Sequence, residues 1–466
     1  MKKTKIITSI GPASNSVEVF KEMVLNGANV ARINFSHATM EEREKVISTV
    51  LTVREDLNKN IAILYDTKGP EFRNENYLGE DVILKDGENI KVYKESPKDL
   101  LGFSVNHKKV LNDLETGNII LLENGLMKIE VEQNCEKYLD CKVISGGVLG
   151  NKKSLNVPNV KLNIPFIDED DYNDIVYACR NHGDFLALSF VSSREDILKV
   201  KEILKQEHRE DLKIISKIES MTGIDNLDEI IDESYGIMVA RGDLGVEVPM
   251  TRLPIYQKEI IARCREKGKV AIVATEMLES MKKNLRPTRA EVSDVANAVL
   301  DGTDAVMLSG ETTTGTNPPH VVKYMADICY EAEKYYDNHF RNKMKPGITE
   351  AIVSSALESS KVYDIKVIVA STVSGYSARR ISNLKPDASI LATCTSPNVA
   401  RGLALNYGIE TTVVPFVDST DKIIDIAREE ATKVFNLKTS DKILITGGLS
   451  TNTNKRITNF MKIEEI

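Results

Sequence analysis

The segment FLALSFVSSREDILKVKEILKQEHREDLKIISKI (185–218) contains one complete strand–helix–strand unit. Its two ends, FLALSF and KIISKI, are short apolar runs bounded by polar residues, which is typical of strands buried on both faces. Residues 194–207 between them have apolar side chains spaced three and four apart, which predicts an amphipathic helix. The segment therefore predicts two parallel strands joined by a helix.

The same unit recurs along much of the chain. Six further strands are predicted at 5–10, 29–35, 61–66, 236–240, 269–274 and 304–308. Helices are predicted between them at 15–27, 40–59, 170–182, 254–267 and 288–301. Eight alternating units with apolar strands are what a (β/α)₈ TIM barrel requires, and the fold class predicted is α/β.

The repeat is interrupted after the third strand, where about 120 residues separate it from the fourth. This interval contains DVILKDGENIKVY (81–93) and NIILLENGLMKIEVE (118–132), whose Asp-Gly and Asn-Gly pairs are hairpin signals. A second strand–helix alternation begins after residue 345. We therefore predict a barrel at 1–69 and 166–344, an inserted small β-barrel lid at 70–165, and a C-terminal α/β sandwich domain at 345–466.

Composition excludes several classes of function. The chain has 466 residues, 61 basic against 69 acidic side chains and a formal net charge of −8. Binding to nucleic acid or to an anionic membrane is therefore not expected. No apolar run reaches membrane-spanning length and no signal peptide is evident, so cytoplasmic location is expected. The six scattered cysteines are interpreted as core residues.

Polar residues are concentrated where the predicted barrel strands end, and barrel enzymes carry their active sites at the carboxyl ends of the strands. Glu219 and Asp243 offer carboxylate oxygens of the kind that Mg²⁺ binds. Positive charges near them are suited to phosphate, and the combination favours phosphoryl transfer. The chain has no P-loop or protein-kinase motif. The strand-end residues are Arg32, Asn34, Ser36, Asp66, Thr67, Lys68, Arg73, Lys217, Glu219, Arg241, Gly242, Asp243, Thr275, Glu276, Ser309 and Glu311.

Several long motifs carry a family resemblance. They are VARINFSH (30–37), YDTKGPEFR (65–73), SKIES (216–220), MVARGDLGVE (238–247), VATEMLESM (273–281) and RPTRAEVSDVANAVLDGTDAVMLSGET (286–312). Together they resemble pyruvate kinase, essentially from end to end. The resemblance implies transfer of a phosphoryl group from phosphoenolpyruvate to ADP, which gives ATP and pyruvate in the last step of glycolysis.

The resemblance also implies a role for individual residues. Lys217, Thr275 and Arg32 match catalytic residues, and Thr275 is placed near the carbon that is protonated. The implied substrate contacts are Arg32, Lys217, Gly242, Asp243 and Thr275. The implied nucleotide contacts are Arg32, Asn34, His37, Arg73 and Lys153.

Two cations are implied as cofactors. Glu219 and Asp243 match ligands of Mg²⁺ or Mn²⁺. Asn34, Ser36, Asp66 and Thr67 match ligands of K⁺, and Glu71 matches the K⁺-dependent form of the family, because relatives with lysine there supply the charge themselves. Two departures are Glu276, where Gln or Asn is usual, and the missing basic residue after SFV (189–191).

The loop STVSGYSARR (371–380) joins a predicted strand to a predicted helix, where backbone N–H groups could cradle a phosphate. By resemblance, Thr372, Ser374, Gly375 and Ser377 bind an effector, either a phosphorylated sugar or a nucleotide. An ordinary capped helix start is the alternative. The resemblance further implies a homotetramer.

Two other functions stay open. One is a lyase that uses phosphoenolpyruvate or pyruvate on the same barrel, which would not need the lid, the K⁺ ligands or Arg73. The other is a non-catalytic homologue, which would be expected to have lost Lys217, Glu219, Asp243 or Thr275. Such a homologue would bind phosphoenolpyruvate without turnover, whereas a lyase would ignore ADP.

Overall fold

A computed structural model describes residues 1–96, 102–158, 160, 162–336, 347–448 and 457–466. Its largest unit is a closed barrel of eight parallel strands, and all eight predicted strands are confirmed. They are β1 (Lys5–Ser9), β2 (Val30–Asn34), β3 (Ala62–Asp66), β13 (Phe185–Leu188), β14 (Lys213–Ile218), β15 (Gly236–Ala240), β16 (Val270–Ala274) and β17 (Ala305–Leu308). The barrel closes in the order β1-β17-β16-β15-β14-β13-β3-β2.

Alternate residues of the barrel strands pack on two sides. Ile7 belongs to the core that fills the barrel, whereas its neighbour Ile6 packs in the layer that includes the surrounding helices. Both side chains are fully buried, which explains why the strands are apolar without alternation. The surrounding helices are α1 (Val17–Leu25), α2 (Met40–Leu57), α3 (Glu169–Arg180), α4 (Arg194–Gln206), α5 (Met221–Asp225), α6 (Leu227–Glu233), α7 (Arg241–Glu247), α8 (Leu253–Lys267), α9 (Arg289–Leu300), α10 (Gly310–Thr313) and α11 (Pro318–Glu333).

The insertion between β3 and β13 is an all-β unit with its own apolar core, as predicted. A seven-stranded sheet has the order β12-β8-β9-β10-β6-β7-β4, and β5 pairs with β11. The strands are β4 (Asn74–Asn76), β5 (Val82–Leu84), β6 (Asn89–Tyr93), β7 (Gly102–Val105), β8 (Ile119–Leu122), β9 (Met127–Asn134), β10 (Tyr138–Ser145), β11 (Gly147–Leu149) and β12 (Leu155–Asn156). We refer to this unit as the lid.

One of the two predicted hairpins in the lid is wrong. The Asn124-Gly125 turn joins the antiparallel pair β8 and β9, as expected. The Asp86-Gly87 turn joins β5 to β6, but β5 pairs with β11 and β6 with β10 and β7. Asp86 accepts a hydrogen bond from the backbone of Gly146 at 2.7 Å, so this turn is tied to the β10–β11 connection instead.

The C-terminal unit has a five-stranded sheet in the order β20-β19-β18-β21-β22. Its elements are α12 (Ile348–Val362), β18 (Ile365–Thr372), α13 (Tyr376–Asn383), β19 (Ser389–Cys394), α14 (Pro397–Arg401), β20 (Ile409–Val413), α15 (Thr420–Phe435), β21 (Lys442–Gly447) and β22 (Phe460–Glu465). The last strand, β22, runs antiparallel to β21 and therefore departs from the strand–helix alternation predicted for this unit.

The proposed domain boundaries stay predictions, and the one at 344/345 lies outside the described residues. Five of the six cysteines are buried, as the core interpretation requires, whereas Cys135 is half-buried. Within the described residues, none of the helices combines the length and apolar character that a membrane crossing needs.

Candidate active site

A cleft of about 970 Å³ lies between the lid and the carboxyl ends of the barrel strands. Most of the residues predicted for the site line this cleft. They are Arg32, Asn34, Ser36, His37, Thr67, Arg73, Lys153, Lys217, Glu219, Asp243 and Thr275. Asp66 and Gly242 are set back behind them, in contact with Lys217 and Thr275 respectively. The structure therefore brings the predicted barrel and lid residues to one place.

Lys217 is held at the floor of the cleft by two buried carboxylates. Its Nζ lies 3.1 Å from Asp66 Oδ1 and 3.0 Å from Glu219 Oε1, and both acids are 1% exposed. It also donates to Ser189 Oγ at 2.7 Å. Burial opposes the ammonium form, but the two carboxylates outweigh it and raise the pKa of Lys217 above its usual value. Lys217 is therefore a fixed positive charge that opens onto the cleft.

Asp66 also holds Arg32. The guanidinium donates from Nε to Asp66 Oδ2 at 2.7 Å and from Nη1 to Ser9 Oγ at 2.7 Å. Burial works against the charged carboxylate, yet Lys217 and Arg32 together lower the pKa of Asp66 below its usual value. One carboxylate thus orients both cationic side chains on adjacent parts of the floor.

Glu219 is suited to bind a cation. Its Oε2 accepts a hydrogen bond from the backbone N–H of Phe190 at 2.6 Å. Burial raises the pKa of Glu219 to about 7, with Lys217 opposing the shift and the nearby Asp243 adding to it. The charges of Glu219 and Asp243 repel one another, and a divalent cation would relieve the repulsion. Within the described residues no group of three or more His, Cys, Asp or Glu has metal-binding geometry, so substrate oxygens or water would complete the shell.

The residues predicted to hold K⁺ lie at the ends of two neighbouring strands. Asn34 and Asp66 are directly opposite one another in the β2–β3 register. Asn34 Oδ1 accepts from the Ser36 backbone at 3.1 Å, and Thr67 Oγ1 accepts from the Ser189 backbone at 3.2 Å. These neutral oxygens fit a monovalent cation, whereas both oxygens of Asp66 already accept hydrogen bonds from cationic side chains.

Arg73 and Lys153 carry acidic partners at the mouth of the cleft. Arg73 forms a two-point ion pair with Glu71, with Nε–Oε2 at 2.8 Å and Nη2–Oε1 at 2.9 Å. Lys153 Nζ lies 2.6 Å from Glu123 Oε1. A phosphate entering the cleft would therefore meet cations whose directions are already set.

A short turn brings Glu71 into this position. Gly69 has a φ of +70° and approaches Ser189 so closely that a Cβ would lie 2.8 Å from the Ser189 Cβ. Only glycine fits both conditions, because a side chain would be strained and would clash. The KGPE motif thus bends the chain out of β3 toward the lid.

Thr275 has an unusual backbone for its residue type. It follows β16 with a φ of +67°, a conformation that β-branched residues rarely adopt. Its Oγ1 accepts from the Gly242 N–H at 2.8 Å and donates to the Ala274 carbonyl at 2.7 Å. The adjacent Glu276 also has a positive φ, at +52°, and its side chain is exposed.

Sequence reasoning missed two features of the cleft. Ser189 contacts Lys217, Asp66 and Thr67, and its position directly after β13 was the signal that could have revealed it. The lid residue Asn156 donates to Glu247 Oε1 of the barrel at 2.8 Å. That contact joins distant segments, and no local pattern in the sequence indicates it.

The predicted effector residues lie in the C-terminal unit. Thr372 Oγ1 accepts from the Gly375 N–H at 2.9 Å, and Ser377 Oγ is hydrogen-bonded to Thr458 Oγ1. Gly375 has a φ of +79° and caps α13, whereas Ser374 is exposed. α13 thus begins after Gly375 without a side-chain capping hydrogen bond, and the hydroxyls of Thr372 and Ser377 are hydrogen-bonded within the C-terminal unit. Part of the following tail, residues 449–456, lies outside the described residues.

A TIM barrel with an inserted lid, a buried lysine–carboxylate cluster and arginines around one cleft defines an enzyme of the barrel class that acts on an anionic substrate. Residues 1–322 match the family model "Pyruvate kinase, barrel domain", and residues 350–464 match "Pyruvate kinase, alpha/beta domain". The chain therefore belongs to the pyruvate kinase family.

Individual relatives agree with this placement. The chain is 40% identical to a pyruvate kinase of Clostridium perfringens over all of both chains. It is 41% identical to a pyruvate kinase of Staphylococcus epidermidis over 99% of this chain and 80% of the relative. A crystal structure of a pyruvate kinase from Cryptosporidium parvum matches with a TM-score of 0.93 at 35% identity, covering 100% of this chain and 96% of that one. The expected family, fold and pyruvate kinase function are thereby confirmed, and the chain is a phosphotransferase.

Proposed function

We propose that this enzyme transfers the phosphoryl group of phosphoenolpyruvate to ADP and releases ATP and pyruvate. The observation that carries the proposal is the buried Lys217, which is held charged between Asp66 and Glu219 at the floor of the cleft. Phosphoryl transfer depends mainly on positioning and on stabilisation of negative charge. A preorganised cation in a water-poor site supplies that stabilisation without reorganising during the reaction.

The proposed roles are those that the family resemblance implies, and the shared cleft supports them. Lys217 and Arg32 face the phosphoryl group and the enolate oxygen that forms when the bridging O–P bond breaks. Thr275 lies beside the carbon that takes up a proton. Arg73, His37 and Lys153, together with Asn34, face the nucleotide at the mouth of the cleft.

Glu219 and Asp243 would hold Mg²⁺ or Mn²⁺, with Gly242 and Asp243 in contact with the substrate. When bound, this ion neutralises phosphate charge and orients substrate oxygens. The protein contributes the fixed direction of Glu219, whose second oxygen is tied to the Phe190 backbone. Burial and the nearby Asp243 both raise the pKa of Glu219, and a cation held by the two carboxylates would offset both effects, which supports this assignment.

The test of the function is pyruvate formation from phosphoenolpyruvate and Mg²⁺, with and without ADP. We expect pyruvate and ATP in equal amounts, and no pyruvate without ADP. Pyruvate that forms without ADP would favour a lyase instead. Binding of phosphoenolpyruvate without turnover in either mixture would favour a non-catalytic homologue.

We also propose that Asn34, Ser36, Asp66 and Thr67 bind K⁺ and that turnover depends on it. Glu71 is central to the test, because it leaves the neighbouring Arg73 paired and adds no cation of its own. Glu71→Lys should reduce the ratio of turnover in K⁺ to turnover in Na⁺, since the new ammonium supplies a local positive charge.

Glu71→Gln is the matched control for that variant. It also removes the ion pair with Arg73 but adds no charge, so its turnover should still depend on K⁺. An equal loss of K⁺ dependence in both variants would show that the ion pair, and not the added cation, sets the response. Wild-type turnover indifferent to K⁺ would remove the cation proposal and leave the kinase proposal standing.

A homotetramer, a cytoplasmic location and an effector at the loop 372–377 are proposed on family resemblance. Light scattering after size-exclusion chromatography tests the tetramer, which predicts a mass four times the 51.9 kDa of the chain. Activation by phosphorylated sugars or nucleotides at sub-saturating phosphoenolpyruvate tests the effector. Loss of any response on Ser374→Ala would place it at this loop.

A further inference from the structure

Two consecutive residues after β16 are held in the left-handed region of backbone space. Thr275 has a φ of +67° and Glu276 a φ of +52°. This conformation is unfavourable for residues other than glycine and persists only where surrounding contacts impose it. Thr275 lines the cleft, so the contacts that impose this backbone also decide where its hydroxyl points.

Those contacts come from the guanidinium of Arg241. Its Nη2 donates to the Thr275 carbonyl at 2.7 Å and to the Glu276 carbonyl at 3.1 Å, and its Nε lies 3.3 Å from the Thr275 carbonyl oxygen. The far side of the guanidinium is anchored by Asp294, with Nη1–Oδ2 at 2.6 Å. Arg241 is 7% exposed and is not among the residues that line the cleft.

The hydroxyl of Thr275 is fixed from the other direction. It accepts from the Gly242 N–H at 2.8 Å, and Gly242 is the residue next to Arg241 at the start of α7. The same short segment therefore holds both the carbonyl and the hydroxyl of Thr275. A single rigid element sets the whole residue relative to the cleft.

We infer that Arg241 is a positioning residue that keeps Thr275 on one face of the enolate, and this rests on the proposed function. After the O–P bond of phosphoenolpyruvate breaks and ADP takes the phosphoryl group, the enolate remains. A proton that solvent water supplies through the Thr275 hydroxyl forms a new C–H bond at its terminal carbon. The C=C double bond becomes single, the enolate oxygen becomes the ketone oxygen, and the reaction as a whole takes up one proton from solvent. Arg241 acts on that proton transfer through Thr275, and it contacts no reacting atom.

The test uses phosphoenolpyruvate that carries deuterium stereospecifically on its terminal carbon, converted by the full-length enzyme in tritiated water. Protonation on one face gives a chiral methyl group, whereas protonation of a released enol gives a racemic one. Arg241→Lys keeps the charge but loses the planar fork that reaches both carbonyls. We expect kcat to fall roughly tenfold to a hundredfold, as for a misplaced catalytic group, with a largely racemic methyl group.

A merely structural role would lower the rate and leave the product chiral, and that outcome would overturn the inference. An unchanged rate with a chiral product, or a racemic product from the wild-type enzyme, would overturn it as well. Absence of ATP with the wild-type enzyme would instead contradict the proposed function. The two failures are therefore distinguishable.

Two further variants keep the test decisive if Arg241→Lys folds poorly. Asp294→Asn leaves both carbonyl contacts in place and weakens only the anchor, so a smaller loss of chirality is expected. Arg263→Lys on α8 is the matched control, because Arg263 is 37% exposed and pairs with Asp228 and Glu259 instead of the carbonyls of the Thr275 loop. It should leave kcat and chirality unchanged, and a chiral product from Asp294→Asn at a reduced rate would count against the inference.

Discussion

The barrel and the C-terminal unit use the same local device with opposite results. In both, polar residues follow the carboxyl end of a parallel strand and lead toward a helix. At the barrel rim these side chains face a shared cleft, and buried charges such as Lys217 and Glu219 lie side by side. In the C-terminal loop the hydroxyls of Thr372 and Ser377 are taken up by hydrogen bonds within the unit itself.

The difference follows from topology. A closed barrel brings the ends of eight strands to one rim, so charged groups from distant segments must share a small volume. The open five-stranded sheet has no such convergence, and each strand end is free to satisfy its own neighbours. The charged side chains at the rim therefore interact unfavourably until a substrate and cations bind. The hydroxyls of Thr372 and Ser377 in the C-terminal loop already have hydrogen-bond partners.

The largest expected effect comes from removing the central charge of the rim. In Lys217→Met, Asp66 and Glu219 lose their shared counter-ion while the volume of the side chain is nearly kept. We expect kcat to fall by roughly 10²–10³-fold or more, the loss typical of a preorganised charge-stabilising donor. Steady-state kinetics with a thermal melt would measure both activity and stability.

Lys201→Met is the control for that substitution. Lys201 lies on α4 and pairs with Glu233 on the outside of the barrel, so its loss should leave kcat within about twofold, as for an exposed ion pair. A Lys217→Met enzyme with nearly normal kcat would contradict the proposal that the positive charge of Lys217 stabilises the transition state.

A second prediction concerns Asp171, a buried carboxylate just behind the rim. Its Oδ1 accepts from the Gly69 N–H at 3.0 Å, while its Oδ2 has no hydrogen-bond partner. Burial raises the pKa of Asp171 from 3.8 to about 6, with Asp168 adding to the shift. The folded state then binds a proton more tightly than the unfolded state, so stability is lost as pH rises from about 4 through 6.

Asp171→Asn should therefore stabilise the protein by about 3 kcal/mol at pH 8, the value for a pKa shift of this size, and by roughly a third of that at pH 4.5. Thermal melts at the two pH values measure the difference. Asp170→Asn makes the same chemical change one residue earlier, where the side chain is 75% exposed, and should do little at either pH. Equal stabilisation at both pH values would show that Asp171 is not an ionised buried group.

The sequence predicts which residues lie at the barrel rim far better than it predicts the contacts between them. Six of the eight barrel strands end in residues whose type alone suggests chemistry, so position and charge are enough to predict Lys217, Glu219 and Asp243. Contacts such as Asn156 with Glu247 or Arg241 with the Thr275 carbonyl join segments far apart in the chain. Neither leaves a local pattern, because the geometry arises only when the barrel and the lid are assembled.

Pairing within the lid failed for a related reason. The Asp86-Gly87 pair predicts a turn, and a turn is present, but a turn does not decide which strands pair. The side chain of Asp86 binds the Gly146 backbone, so a long-range contact replaces the expected hairpin. β22 is not predicted from the sequence, because Phe460–Glu465 is a short run without a clear apolar pattern. Its position in the sheet is set by antiparallel pairing with β21.

The smallest expected effect concerns the C-terminal loop, where the Ser377 and Thr458 hydroxyls are hydrogen-bonded to each other. Ser377 and Thr458 are 6% and 5% exposed, and their hydroxyls bond to each other. Ser377→Ala leaves the Thr458 hydroxyl buried without that partner, which should cost about 1 kcal/mol of stability and lower the melting midpoint by about 2–4 °C. Ser374→Ala, at an exposed position of the same loop, should change it by less than about 0.5 kcal/mol.

The same pair of variants shows what an effector would have to overcome. A ligand that uses the Ser377 hydroxyl must first break its bond to Thr458, whereas one that uses Ser374 meets an exposed hydroxyl. If Ser377→Ala leaves the melting midpoint unchanged, the Ser377–Thr458 hydrogen bond contributes nothing to stability. A ligand could then bind the Ser377 hydroxyl without a cost in stability. If the midpoint falls as expected, the loop is stabilised by its own contacts, and ligand binding there must be coupled to a rearrangement of the segment that contains Thr458.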